Sequence, residues 1–141
     1  MEDFFGADGL LARKLEGYEV RPSQTRMAQI VTSALEGQHH AIIEAGTGTG
    51  KTLAYLAPAL THGRRLLVST GTKALQDQIF YKDIPLLERI LDRPIRAAYL
   101  KGRNNYLCKV KLHTFQQEGL FSPLELDNFS EIAEWAVRTE T

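Results

Sequence analysis

The sequence predicts an α/β fold, a parallel sheet flanked by helices and organised around a phosphate-binding loop. Three observations carry that expectation. The stretch Ala45-Gly46-Thr47-Gly48-Thr49-Gly50-Lys51-Thr52 lies between an apolar run, His40-Ala41-Ile42-Ile43-Glu44, and a helix-forming run that begins Thr52-Leu53-Ala54-Tyr55-Leu56. Two further apolar runs, Leu66–Thr70 and Ile95–Leu100, alternate with segments of helical periodicity, the pattern of parallel strands joined by right-handed crossovers. The chain of 141 residues, 43% of them hydrophobic, has the material for one core.

Each element follows from local signals. Residues from Met1 to about Tyr18 mix Phe4, Phe5, Leu10 and Leu11 with three glycines, which suits a short helix or an arm packed on the main body. Ser23 is a fitting N-cap for a helix whose apolar positions Met27, Ile30, Val31, Ala34 and Leu35 recur at helical spacing, and Gly37 ends it. The strand, loop and helix around Lys51 come next, then the strand Leu66–Thr70. A helix capped by Thr72 and a second one carrying Leu86, Leu87, Ile90 and Leu91, with Pro85 in its first turn, lead to the third strand. Beyond Leu100 the pattern changes to helical material, with Ser122-Pro123 and Ser130 as start signals.

Composition narrows the function. Seventeen basic residues balance seventeen acidic ones, so contact with nucleic acid needs a local patch rather than a global field. The opening residues carry no basic, apolar leader and no run approaches a membrane span, which reads as cytoplasmic with no membrane partner. Cys108 is the single cysteine and by itself is a small hydrophobe that holds no metal.

The chemistry is concentrated in the loop. Small residues let successive N–H groups turn inward and, with the positive end of the following helix, form a concave anion site. Ala45, Gly46, Thr47, Gly48, Thr49 and Gly50 would wrap a triphosphate, Lys51 would reach its outer phosphates, and the Thr52 hydroxyl would ligate Mg²⁺. The pattern ordinarily opens with glycine, and Ala45 stands there instead. Gln24 offers an amide donor and acceptor suited to an adenine edge, although a solvated glutamine is the commoner case; Arg21 beside it strengthens the nucleotide reading. Thr70, Thr72, Lys73 and Gln76 gather hydroxyls, charge and a helix start at a strand end, a grouping that suits nucleic-acid phosphates as well as a plain helix cap. Lys101, Arg103 and Lys109 flank Tyr106, combining charge with a stacking face, in what is otherwise an ordinary solvated turn.

Taken together, Arg21-Pro22-Ser23-Gln24, Glu44 to Thr52, Ser69 to Gln78 and Leu100 to Cys108 resemble the opening of the bacterial DinG/YoaA-type ATP-dependent DNA helicases, relatives of the XPD iron-sulfur helicases of superfamily two. The resemblance implies part of a RecA-like P-loop NTPase domain over residues 1–100, and the start of a helical iron-sulfur insertion over 101–141. It makes Gln24 the adenine-reading residue, Lys51 and Thr52 the phosphate and magnesium contacts that serve catalysis, and Thr70, Thr72, Lys73 and Gln76 part of the motif that tracks a DNA strand; on their own chemistry Arg21 joins Gln24 as an ATP contact, and Lys101, Arg103 and Tyr106 are expected to touch DNA. Cys108 becomes one ligand of a [4Fe-4S] cluster whose other three cysteines lie beyond residue 141. The implied activity is 5′-to-3′ unwinding, with single-stranded, forked or gapped DNA as substrate and replication or repair proteins as partners.

The sequence contains no Asp-Glu pair to hold Mg²⁺ and orient water, and no motif of a second motor domain. These 141 residues are therefore expected to be a marginally stable fragment that binds nucleotide without useful hydrolysis. Two other classes fit the loop alone: a P-loop phosphotransferase, and a non-catalytic nucleotide- or DNA-binding module.

Overall fold

The computed structural model describes residues 1–118 and 123–139. The chain divides into two compact units, Met1–Tyr99 and Leu100–Thr141. In the first unit, α1 (Glu2–Phe5) and α2 (Leu10–Lys14) precede the long α3 (Pro22–Gly37), then α4 (Lys51–Thr61), α5 (Lys73–Gln78) and α6 (Ile84–Leu91). The second unit holds a 3-10 turn (Arg103–Asn105), α7 (Lys109–Glu118) and α8 (Pro123–Arg138).

The core lies where α3 and α4 pack side by side. Ala28 of α3 and Ala54 and Ala57 of α4 are fully buried, and these small side chains let the two helix backbones approach closely. The first residues close the core: α1 lies on α2 and α3, α2 lies on α6, and Phe4, Phe5 and Leu11 share one buried cluster with Leu87 and Ile90, the rings of Phe4 and Phe5 packing with centroids 4.8 Å apart. The expected arm is thus two short helices, and they hold a large share of the buried apolar volume. Lys14 ties α2 to the end of α6 through an ion pair with Asp92, and Arg93 donates to the Leu60 carbonyl at the end of α4.

Local signals decide most boundaries. Arg21, not Ser23, is the N-cap of α3, because Pro22 takes the first helical position, where its missing N–H costs nothing. Gly37 is still helical and Gln38 takes the left-handed turn that ends the helix. Thr72 caps α5 as expected, its hydroxyl accepting from the Leu75 amide at 3.2 Å. α5 and α6 are continuous through a π-helical turn, Ile79–Asp83. Pro85, with no N–H to give the preceding turn, follows that widened segment, so the helical path continues without a break. Ser130 lies inside α8 instead of capping a helix, and Ser122 lies outside the described residues.

The expected sheet is where the structure departs most. Among the described residues no strand is formed, and 41–45, 66–70 and 95–100 carry neither helix nor ladder. Ile42 is fully exposed and Leu67 is 94% exposed. Sheets in this register need partners on both faces and both edges, and parallel pairs bind less strongly per residue than antiparallel ones. Three short runs separated by helices supply few such partners.

Two expectations follow. Leu11→Ala should lower unfolding free energy by about 2–5 kcal/mol, whereas Leu67→Ser should change it by less than about 0.5 kcal/mol, both read by urea denaturation. Burial raises the Asp83 carboxyl above the ordinary 3.8, with Gln78 and Lys82 opposing the rise. A folded value above the unfolded one means that its contribution is fully present below about pH 3.8 and is lost as pH rises through the raised value. Asp83→Asn should therefore stabilise the chain at neutral pH, and the gain should vanish on acidification below pH 3.8.

Candidate nucleotide-binding site

The loop between Ala45 and Lys51 is shaped by two glycines. Gly48 and Gly50 have φ of 76° and 75°, in the left-handed region that a Cβ disfavours. Gly50 is also the N-cap of α4, with no side chain covering the helix start. The amides from Gly46 to Leu53 donate to no protein acceptor among the described residues; the first that does is Ala54, to the Gly50 carbonyl at 3.2 Å. N–H groups without protein acceptors ahead of a helix N-terminus are an arrangement that can receive an anion.

Side chains fix the loop from within. The Lys51 ammonium donates to the carbonyls of Ala45 at 2.9 Å and Gly46 at 2.6 Å, which commits two of its three N–H groups and holds its charge at the loop mouth. Thr49 donates to the Gly46 carbonyl at 3.0 Å. Thr47 lies at the exposed turn of the loop. Thr52, the second residue of α4, lies one turn before Tyr55, whose phenol pKa is raised by burial against an opposing contribution from Thr52. Tyr55 also borders a groove of about 390 Å³ lined by Met27, Val31 and Ile43.

The start of α3 meets the loop from outside. Arg21 Nη1 donates to the Gly48 carbonyl at 2.7 Å. Gln24 Nε2 donates to the Gly50 carbonyl at 3.0 Å, and Gln24 is only 3% exposed. A solvated glutamine is thereby replaced by a buried one. Its amide oxygen and second N–H remain uncommitted within the described residues.

Within the first unit, no hydrogen bond joins Thr70, Thr72 or Lys73 to this cluster. Thr70 donates to the Thr72 carbonyl at 3.1 Å and Thr72 caps α5, so their bonds are local; Lys73 is exposed at the first position of α5 and Gln76 is half-buried. In the second unit, the Lys101 amide donates to the Tyr106 hydroxyl at 2.9 Å, leaving the ring face half-exposed beside exposed Arg103. Cys108 is exposed ahead of α7, and no group of three metal-ligating side chains occurs among the described residues. Tyr55 was not legible as a site residue: helical spacing places it one turn beyond Thr52, but a tyrosine there reads equally as core. Among the described residues no helix is long and apolar enough to cross a membrane.

Gly48→Ala should cost about 1–2 kcal/mol through backbone strain. Gly50→Ala should cost more, because its Cβ would run into the Gln24 amide. Urea unfolding of the two variants checks the order.

Residues 22–109 match the DEAD/DEAH box helicase family. The chain is 44% identical over 126 residues to the protein named ATP-dependent DNA helicase YoaA of Escherichia coli, covering 89% of this chain and 20% of that one. It is 40% identical over 140 residues to the YoaA of Haemophilus influenzae, covering 99% and 22%. The Bacillus subtilis protein named 3'-5' exonuclease DinG is 34% identical over 146 residues, covering 96% and 15%. The chain thus spans about a fifth of the length of the first of these curated relatives. No solved structure matches it.

Proposed function

Because this chain belongs to the DEAD/DEAH box helicase family, we propose that it is the ATP-binding front part of an ATP-dependent DNA helicase that moves 5′ to 3′ along single-stranded DNA. The observation that carries the reading is the loop: eight amides without a protein acceptor, two left-handed glycines and a lysine follow one another into the start of α4. The names of the relatives supply the DNA and the ATP dependence.

The residues present fit MgATP. Amides from Gly46 to Thr52 and the helix dipole would receive the phosphates, and the third N–H of Lys51 would add a charge-assisted bond. Thr52 would hold the ion through its hydroxyl. Bound Mg²⁺ would neutralise charge across the outer phosphates. Arg21 and Gln24 would face the base. Thr70, Thr72, Lys73 and Gln76 would follow the backbone of one DNA strand, and Lys101, Arg103 and Tyr106 would offer charge and a stacking face.

Residues 1–100 would be part of a RecA-like motor domain, in which the segments near Ile42, Leu67 and Leu100 pair as a parallel sheet once further strands of the domain cover them. The exposure of those side chains supports this. Residues 101–141 would open an iron-sulfur insertion. A single thiolate does not hold a four-iron cluster, so the 141 residues alone do not fit that group, and Cys108 would be one ligand among four. A cytoplasmic role in repair or replication, on forked or gapped DNA, completes the proposal. With no Asp-Glu pair in the sequence, these residues would bind nucleotide with little turnover.

Lys51→Ala in the full-length protein should abolish DNA-stimulated ATP hydrolysis, and in the present chain it should weaken ATP binding at least about tenfold. Hydrolysis that DNA does not stimulate, with phosphate passed to a small acceptor, would favour a phosphotransferase instead.

A further inference from the structure

We propose that Phe80, Tyr81 and Tyr99 form a platform on which a base of single-stranded DNA stacks, with Tyr81 as the ring that meets it. The inference rests on the DNA reading above and goes beyond the contacts proposed there, which in the first unit follow only the sugar-phosphate backbone. The three rings pack on one another. Phe80 and Tyr99 are stacked with centroids 5.0 Å apart and planes inclined by 24°, and Tyr81 stands steeply to both, at 5.1 Å from Phe80 and 5.7 Å from Tyr99.

Rings of this size ordinarily sink into a core, because each buries a large apolar area. These do not. Ile79 turns into the buried cluster of the first unit, whereas none of the three rings is part of it, and Tyr81 is 63% exposed. The rings are nevertheless held in place. Tyr99 donates its phenol to the Asp77 carboxylate, which ties the 95–100 segment to α5. Phe80 and Tyr81 sit in the π-helical turn Ile79–Asp83, a widened form of helix that recurs at functional sites. A preorganised aromatic face in water offers every base a stacking surface, whatever the sequence.

Charge decides the class of partner. Lys73, Asp77 and Tyr81 follow one another at four-residue spacing, so they lie along one side of the helical path. Lys73 precedes the rings and Lys82 follows Tyr81, both exposed, while Asp77 is engaged by Tyr99 and Asp83 accepts from Gln78 at 3.4 Å. A protein partner would have to desolvate both ammonium groups, whereas a polyanion pairs with them. Lys73 stands about 12 Å before Tyr81 at 1.5 Å per residue. A strand whose phosphates follow Thr72 and Lys73 therefore brings a base over Tyr81 a short way along its length.

A strand stripped of its bases separates stacking from plain electrostatic attraction. Fluorescence anisotropy of a labelled oligothymidylate, and of a strand of equal length with abasic sites throughout, should show binding of both by the full chain. Tyr81→Ala should weaken the oligothymidylate by about fivefold to a hundredfold, the worth of one stacked base, and leave the abasic strand unchanged. Tyr81→Phe should keep the affinity; Tyr81→Leu, which keeps an apolar side chain without a π face, should lose it as the alanine does. Lys73→Ala should weaken both strands alike and reduce the salt slope by about 1. The substituted positions are exposed, so far-UV circular dichroism should not change. Unchanged oligothymidylate affinity in Tyr81→Ala or in Tyr81→Leu overturns the inference and leaves the DNA reading standing. A Tyr81→Ala variant that alters sedimentation mass but not oligonucleotide affinity also overturns it, and gives the rings to contact between copies of the chain. Failure of the unsubstituted chain to bind either strand overturns the DNA reading and the inference with it.

Discussion

The proposed nucleotide site depends on one backbone constraint, the left-handed turns at Gly48 and Gly50 immediately before α4. Without them the chain would leave the apolar segment at 41–45 and begin the helix with its amides pointing outward in succession, as at any helix start. With them the amides from Gly46 to Leu53 are left without protein partners, and the Lys51 ammonium stays on the Ala45 and Gly46 carbonyls. Unpaired amides are a cost to the fold, tolerated at a surface where an anion can satisfy them.

That constraint is imposed by packing some distance away. α3 reaches the loop only because Ala28, Ala54 and Ala57 let it lie close along α4, which brings Arg21 and Gln24 to the glycine carbonyls. Phe4 and Phe5 then add to the buried cluster from α1, Leu11 joins it where α2 lies on α6, and Lys14 and Arg93 fasten the end of α6. The order of dependence runs from the first residues of the chain to the core, from the core to the helix pair, and from the helix pair to the loop.

Sequence made the loop legible because its chemistry demands particular residue types at fixed offsets. The Thr72 cap was legible for the same reason, since its hydroxyl needs only the amide three residues on. Ser23 and Ser130 show how the same local rule misleads: a proline displaced the first from the cap, and continuing helix absorbed the second. Burial of Gln24 could not be read, because it arises from contact with Gly50, far along the chain. The apolar runs near Ile42 and Leu67 have the composition of strands, yet a strand is a relation between segments, and pairing is not written in either segment alone. Tyr106 likewise carries a stacking face whose purpose depends on what approaches it.

The account stands on the claim that the main chain around Lys51 receives a triphosphate. Two-dimensional ¹H–¹⁵N spectra recorded during titration with MgATP test this directly. The largest shifts should fall on the amides from Gly46 to Thr52, saturating together. Shifts spread elsewhere in the first unit while those amides stay still would contradict the claim.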